Sequence, residues 1–502
     1  MSTLLAEAGE LLSAHGATAL STIATGGSDD ANSYRHSFST RVIHRFISHS
    51  WRDPVLLKRM ALLWESNAGT AFAFGSAAAS VSAAATRAGH LPTLVLDYGG
   101  GLVNVIGLSS SVYAFCFLVS LAYGHRLARA LGLRGMIVFW DKACIRQDDE
   151  RLKAAGITHI HEFIVASDRL LILWSEDYFE RLWCNFELAC FLRARGLSHV
   201  NLVPIAATRH QVAILLAIQY MSVAVPVLAA SGVPAAISAT SLDAVFACSL
   251  MPGGLVFGYA HASAIVARLR LQQQAAAFDA RAARCFCCDH GHTSPETGAT
   301  MACDREFVER VVQDRFDGGL AQFSQIVREA LPAHVDALLG PALFPMPIWR
   351  FAIVYMPFVW LGVDIALCSP DAGVRRSNAL EFGFGFGFLL TGVGLNGLLL
   401  TAVAARTDLL ASATRRRLFL ALGSATGAVA FVLGWGKWDA FFNVPSSAPP
   451  RRAGETAAVC TAAAALPVLL YAGASVGGRA RTAAGPRQPA QPHEATRSIA
   501  LL

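Results

Sequence analysis

The sequence predicts an α/β doubly wound parallel sheet joined to an α-helical multi-pass membrane domain. Three observations carry that expectation. Short aliphatic strands, each followed by a polar loop, recur between residues 41 and 196. Apolar runs of about 20 residues, long enough to cross a bilayer, recur along the rest of the chain. The 502 residues are 54% hydrophobic and only 15% charged, whereas a soluble protein carries about 25% charged residues. The net charge of +6 is spread without a long Lys/Arg run. That leaves no footprint for nucleic acid, and the excess Arg bears instead on membrane orientation.

The elements follow in order. Residues 1–40 open with "MSTLLAEAGELLSAHGATAL", which has two Glu and no Lys or Arg. A secretory signal needs a basic start and a denser apolar run, so the segment is expected to be a short amphipathic helix or partly disordered. The first strand is in "RVIHRFISHSWRDP", where Val42, Ile43, Phe46 and Ile47 form an apolar run closed by Pro54. The second is Met136 to Trp140, ending in Asp141 and a polar loop. The third is Leu170 to Trp174, turned by Ser175-Glu176-Asp177 into a helix with Leu182, Phe186, Ala189 and Cys190 on one face. Strand, polar loop and helix in repetition argue a parallel sheet, and ligands bind such sheets just beyond the strand ends.

These three blocks resemble a TIR domain (Toll/interleukin-receptor/resistance-protein type), as in multi-pass TIR-like proteins of algae and other protists. The first TIR motif is matched by Phe46, Ile47, Ser48 and Asp53. The second, a strand ending in Asp before the BB loop, is matched by Val138, Phe139 and Asp141. The third, Ser-x-x-Tyr followed by Trp-Cys-x-x-Glu-Leu, is matched by Ser175, Tyr178, Trp183, Cys184, Glu187 and Leu188. The resemblance covers about a third of the chain. It implies a flavodoxin-like sheet, self-association and, in the members that cleave NAD, a catalytic Glu, here Glu187. Ser48, Asp141, Trp183 and Cys184 would then line the nucleotide site, with NAD as substrate. Trp183 and Glu187 are four apart and share a helix face, and a carboxylate beside an aromatic wall suits a developing cation. The chain departs from the family in lacking the BB-loop Gly in "KACIRQDDE" and in an insertion over about 60–134. Many TIR domains are scaffolds without catalysis, and the bland reading of Glu187 is a solvated or salt-bridged helix residue.

A serine hydrolase is not expected. No Gly-x-Ser-x-Gly elbow is present, and Ser48 and His49, adjacent on a strand, point to opposite faces.

The apolar runs divide the remainder. The candidate spans are 102–123, 212–231, 350–368, 380–405 and 456–476, then 244–267 and 418–436, then the Ala-rich 68–85. Strands one and two share a sheet and so a side of the membrane. The span at 102–123 therefore needs a second crossing, and 68–85 is the other long apolar stretch. A re-entrant hairpin over "LPTLVLDYGGGLVNVIGL" and a soluble insertion are the alternatives. The expected division is 1–40; a TIR-like domain over 41–200 with an apolar hairpin at about 68–123; a membrane helix pair, 201–267; a cytosolic Cys/His region, 268–348; membrane helices, 349–477; and a disordered tail, 478–502. Both termini are expected in the cytosol. Spans 380–405 and 418–436 hold "GFGFG" and "GSATG", each with Gly four apart, Gly423 and Gly427 in the second, which permits close helix approach in lipid, although Gly is common in membrane helices. Asp364 inside an apolar span is a functional candidate by default, because a mid-bilayer carboxylate costs about 2.5–3.5 kcal/mol.

The 268–348 region holds "CFCCDHGHTSPETGATMACDRE". Cys285, Cys287, Cys288, His290, His292 and Cys303 are soft ligands suited to zinc, in a spacing that matches no common finger. Reduced cytosolic thiols or acylated Cys are the alternatives. "DREFVERVVQDRFDGGLAQFSQIVREAL" reads as an amphipathic helix pair. The function expected is a membrane-bound signalling protein acting by self-association, with NAD cleavage as its enzymatic form. A transporter or channel with a regulatory TIR-like domain is the alternative.

Overall fold

A computed structural model describes residues 42–97, 103–130, 136–230, 239–340, 348–368 and 396–442, apart from Gln147 and Glu296, with a few residues before 42. The expected span 380–405 up to residue 395, the expected span 456–476 and the tail after 477 lie outside the described residues.

The strands are β1 (Thr18–Ala19), β2 (Ile43–His49), β3 (Leu94–Asp97), β4 (Val103–Ile106), β5 (Ile137–Phe139), β6 (Ser167–Trp174) and β7 (Val200–Pro204). Five of them form one sheet in the order β1-β5-β2-β6-β7. β5, β2, β6 and β7 are parallel, and β1 is an antiparallel edge. The first parallel strand in the chain is β2, and its neighbours are the second and third. That places a topological switch point between β2 and β6, where parallel sheets take ligands at their carboxyl edge. β7 is a strand the sequence reading did not mark.

Alternation along β2 and β6 splits the core in two. Phe46, Leu170 and Ile172 face one side, Ile47, Leu171 and Leu173 the other. The second side is covered by Ala61 and Leu62 of α1 (Val55–Arg87). That helix is 33 residues long, so only its first part lies on the sheet. Its remainder packs against α2 (Ser109–Ala130), with the antiparallel hairpin β3–β4 between the two. The hairpin lies in the stretch that the sequence reading offered as re-entrant.

Past β5 the chain turns through α3 (Asp141–Cys144), α4 (Glu150–Thr158) and α5 (Ile160–Ala166) into β6. Asp149 caps α4 by accepting from the Arg151 and Leu152 amides, both at 3.0 Å. After β6 comes α6 (Leu182–Arg195), stopped by Gly196 at φ 78°. Then follow α7 (Ile205–Ala230), α8 (Ala239–Ala276), the single turn α9 (Phe286–Asp289), α10 (Asp304–Arg315) and α11 (Gly319–Leu339). The chain continues in α12 (Ile348–Cys368) and α13 (Ala413–Phe442), and residues 396–406 are also helical.

α10 and α11 are the expected amphipathic pair. Val308 and Val312, then Phe323, Val327, Leu331 and Val335, recur at helical spacing and join the sheet core through Phe186 and Phe191. Part of α1 with α2, α7, α8 and α12 makes a separate bundle around Trp64, Tyr113, Phe117, Ile218, Phe257 and Tyr355.

Besides that aromatic core, α1 packs through small residues, and large apolar side chains also face outward. α1 buries Ala68, Ala71, Gly75 and Ala79, while Phe74, Val81, Phe115, Leu216 and Val227 are exposed. A side chain at Gly75 would stand 3.1 Å from the Tyr113 ring. α8 and α13 meet more closely still. A Cβ at Gly427 would come within 2.6 Å of the Gly258 Cα, and one at Gly423 would meet Ala262 at 2.5 Å. The Gly423/Gly427 spacing thus serves backbone contact against Gly254, Gly258 and Ala262.

Among the described residues, two helices, Val55–Arg87 and Cys248–Ala276, are long and apolar enough to cross a membrane by length and composition. Ser109–Gly124 and Ala352–Asp364 are shorter apolar helices. Where bundle meets sheet, Glu65 of α1 pairs with Arg45 of β2 at 3.5 Å and with Arg350 of α12. At the far end, Asp364 accepts from the Ser109 amide at 2.9 Å. It supplies from another helix the cap that the first turn of α2 needs.

Candidate functional site

The carboxyl edge of the sheet gathers the sequence-predicted residues. Ser48 and His49 end β2, Asp141 follows β5, and Ser175 to Tyr178 follow β6. α6 then lies across the same face as Phe46, so Glu187 meets the end of β2.

Ser48 Oγ donates to Glu187 Oε2 and lies 2.6 Å from the Tyr178 hydroxyl. All three groups are buried. Burial pushes the Glu187 carboxyl up to about 8; the Ser48 hydroxyl opposes that shift and Asp141 reinforces it. At neutral pH the group is therefore mostly a neutral acid. Tyr178 is raised well above the ordinary phenol range, by burial first.

One layer further out, Asp177 closes the switch point. It accepts from Ser50 at 2.8 Å and from Ser175 at 2.7 Å, joining the loops after β2 and β6. Lys58 of α1 donates to the Ser50 carbonyl at 3.2 Å. Half-buried Asp53 is pushed up to about 6 by burial, which the Ser175 hydroxyl opposes and Asp177 reinforces. Sequence reasoning gave no role to Asp177, Ser50 or Tyr178. Tyr178 was present as part of the Ser-x-x-Tyr motif, and Asp177 lies inside it.

Asp141 accepts from the Trp51 indole N–H and from the Lys142 amide, each at 2.7 Å. The Lys142 ammonium sits 5.1 Å from the Trp51 ring centroid. His49 points to the opposite face from Ser48, as alternation requires. It packs edge-on to Trp140 with 5.1 Å between centroids, and burial pushes its imidazole down to about 4. No Ser/His pair forms there.

Trp183 and Glu187 share a helix but not a pocket. The Trp183 indole N–H donates to Asp304 of α10 at 3.2 Å, and its ring packs on Phe186 and Phe307. Trp183 lines a surface cleft of about 160 Å³ with Arg52, Asp177, Arg181, Arg284 and Asp289; Glu187 and Ser48 do not. Cys184 is buried with its sulfur 3.6 Å from the His49 carbonyl, and burial raises its thiol well above the ordinary range. Of the five residues expected around a nucleotide, only Ser48 and Glu187 touch each other.

The Cys/His region folds back on α6. Arg284 exchanges backbone hydrogen bonds with Glu180 and Leu182, at 2.6 and 3.1 Å. Cys287, Cys288, His292 and Cys303 come together with their ligand atoms within 4.8 Å of one another. Cys285 lies beside Cys287, sulfur to sulfur 3.1 Å, in a second grouping with Asp304. His290 turns away, its Nδ1–H donating to the Phe286 carbonyl at 2.9 Å with its ring over Phe286.

Comparison with protein families, with curated proteins and with solved structures yields no match.

Proposed function

We propose that this chain is an integral membrane protein whose cytosolic, TIR-like sheet domain signals by self-association. Several observations support the membrane reading. The uncharged run 67–86 of α1 is about 30 Å long at 1.5 Å per residue, the thickness of a bilayer's hydrocarbon core. It is bounded by Glu65 and Arg87. Small residues on the packed face of α1, close glycine contact between α8 and α13, and large apolar residues exposed on the bundle surface suit helices packing in lipid. The Arg-rich segment 406–417 lies at the sheet-facing end of α8, where Leu409 packs on Ile265. Positive charge on the same side as the sheet domain supports a cytosolic placement.

The observation that carries the association reading is the plugged crevice. The switch point is filled by the domain's own groups: Ser48, Tyr178 and Glu187 inside, Ser50, Ser175 and Asp177 outside. Beside it, at the edge turned away from the bundle, Trp51, Val55 and Leu56 are exposed. A filled crevice next to an apolar rim suits a protein partner, here a second copy.

NAD cleavage is the second reading. It is favoured by the meeting of Ser48 and Glu187 at the carboxyl edge. Against it, a buried and mostly protonated carboxyl stabilises a cation poorly. A transporter reading is less favoured at Asp364, because one of its oxygens caps α2, although its Oδ1 is buried without a hydrogen-bond partner.

The test is the mass of full-length protein in detergent across a concentration series. Oligomers are expected, and Trp51→Ser with Leu56→Ser is expected to dissociate them. A wild type that stays monomeric at every concentration overturns the proposal.

A further inference from the structure

We propose that Cys287, Cys288, His292 and Cys303 form a closed structural zinc site that pins the 287–303 turn against the contacts its flanking residues make with α6. Three thiolates and one imidazole make a complete tetrahedral set with no open position, as structural zinc requires.

The distances fit that geometry. Zinc–sulfur bonds of about 2.3 Å and zinc–nitrogen bonds of about 2.0–2.1 Å put tetrahedral neighbours about 3.8 Å apart for two sulfurs and about 3.6 Å for sulfur and nitrogen. Cys288 Sγ lies 3.9 Å from Cys303 Sγ and 3.7 Å from His292 Nε2. Cys287 Sγ accepts from the Asp304 amide at 3.3 Å, the kind of outer contact that orients a thiolate ligand.

The backbone independently serves the same convergence. Gly291 and His292 both have φ 58°, and His292 is the sole non-glycine residue at positive φ among the described residues. That conformation is uncommon for a residue with a side chain, although His adopts it more readily than most. The turn swings the imidazole back to Cys288, and the His292 amide donates to the Cys287 carbonyl at 2.7 Å. A short hairpin then returns Cys303: Thr293 bridges Thr300, and the Met301 amide donates to the His292 carbonyl at 2.8 Å.

The other two candidates from the sequence fall outside the set. His290 is held at Phe286. Cys285 belongs to a three-ligand grouping that shares Cys287 and ends in a carboxylate. One ion cannot satisfy both, and the four-ligand set is the complete one.

The site's position gives it a consequence. Asp304, next to Cys303, holds the Trp183 indole, and Arg284 is joined by its backbone to Glu180 and Leu182. Zinc would fix both contacts, and with them one wall of the cleft. This holds whether or not the sheet domain self-associates.

The test is zinc content of reduced, full-length protein in detergent, by elemental analysis. Wild type, Cys285→Ser and His290→Ala are expected to hold about one ion per chain. Cys288→Ser and Cys303→Ser are expected to lose most of it, and chelation to open 284–304 to protease. Should the serine variants fail to fold, His292→Cys is expected to keep zinc and to shift the absorption of the cobalt-substituted protein to longer wavelength. A folded wild type without zinc overturns the proposal, as does zinc retained by Cys303→Ser, zinc lost in Cys285→Ser, or an unchanged cobalt spectrum in His292→Cys.

Discussion

Ser48 and Glu187, 139 residues apart in the chain, meet in a buried hydrogen bond between the end of β2 and the middle of α6. The contact ties the first strand of the sheet to the helix that carries the most specific motif. Burial sets the chemistry of the carboxyl by keeping the acid mostly neutral, and the Ser48 contact opposes it.

The first prediction concerns pH. The unfolded chain ionises Glu187 near its ordinary 4.5, the folded chain near 8. Between those values the native state holds a proton that the unfolded state has released. The stabilisation is therefore complete below about 4.5 and is lost as pH rises through about 8. Glu187→Gln removes this slope, so the wild-type-minus-variant difference in unfolding free energy should fall across that window. Asp53 and His49 titrate in both proteins and cancel. Ser48→Ala, which strips the carboxyl of its donor, should destabilise by about 1–3 kcal/mol. Chemical unfolding at several pH values measures both.

A second prediction concerns the junction. Glu65 bridges Arg45 and the buried Arg350. Glu65→Gln leaves the Arg350 guanidinium without a carboxylate and should cost about 3–5 kcal/mol. Thermal unfolding in detergent checks it. The double change Glu65→Met with Arg350→Met should recover most of the loss.

Close backbone approach makes the third. Gly258→Leu drives a side chain into α13 and should cost about 1–3 kcal/mol or more. Gly69, exposed in mid-helix with no neighbour within 4 Å, is the contrast. Gly69→Ala should stabilise by about 0.5–1 kcal/mol. Melting temperatures of the two variants should move in opposite directions.

The fourth concerns sidedness. Arg87 ends α1 beyond the uncharged run, and Arg52 lies at the sheet's outer edge. Maleimide added to sealed vesicles should label Arg87→Cys and Arg52→Cys from opposite sides, judged against the parent protein's own cysteines. Labelling of both from one side would mean that α1 does not cross.

Much of the sheet was legible. Phe46-Ile47 and Leu170 to Trp174 are aliphatic runs bounded by Pro54 and by Ser175, and both are strands. β7 was not, because "VNLVP" is short and runs straight into an apolar helix that masks it. The site was half legible. Ser48, Tyr178 and Glu187 were marked by motif spacing, and their contact follows from the alternation of β2. Trp183 was misjudged as a wall for Glu187. Helical spacing shows which residues share a face, but α10, some 120 residues later, draws the indole away through Asp304. The metal-ligand set was visible only as a cluster. Selecting four of six required the turn at Gly291–His292, which no spacing rule encodes.

The sheet domain is proposed to work through association, with Glu187 serving the fold rather than catalysis. The most direct measurement is nicotinamide release from NAD by full-length protein in lipid nanodiscs, assayed beside its oligomeric state. The account predicts no release by oligomeric wild type, and oligomers undiminished in Glu187→Gln. NAD turnover by the wild type that vanishes in Glu187→Gln would contradict it.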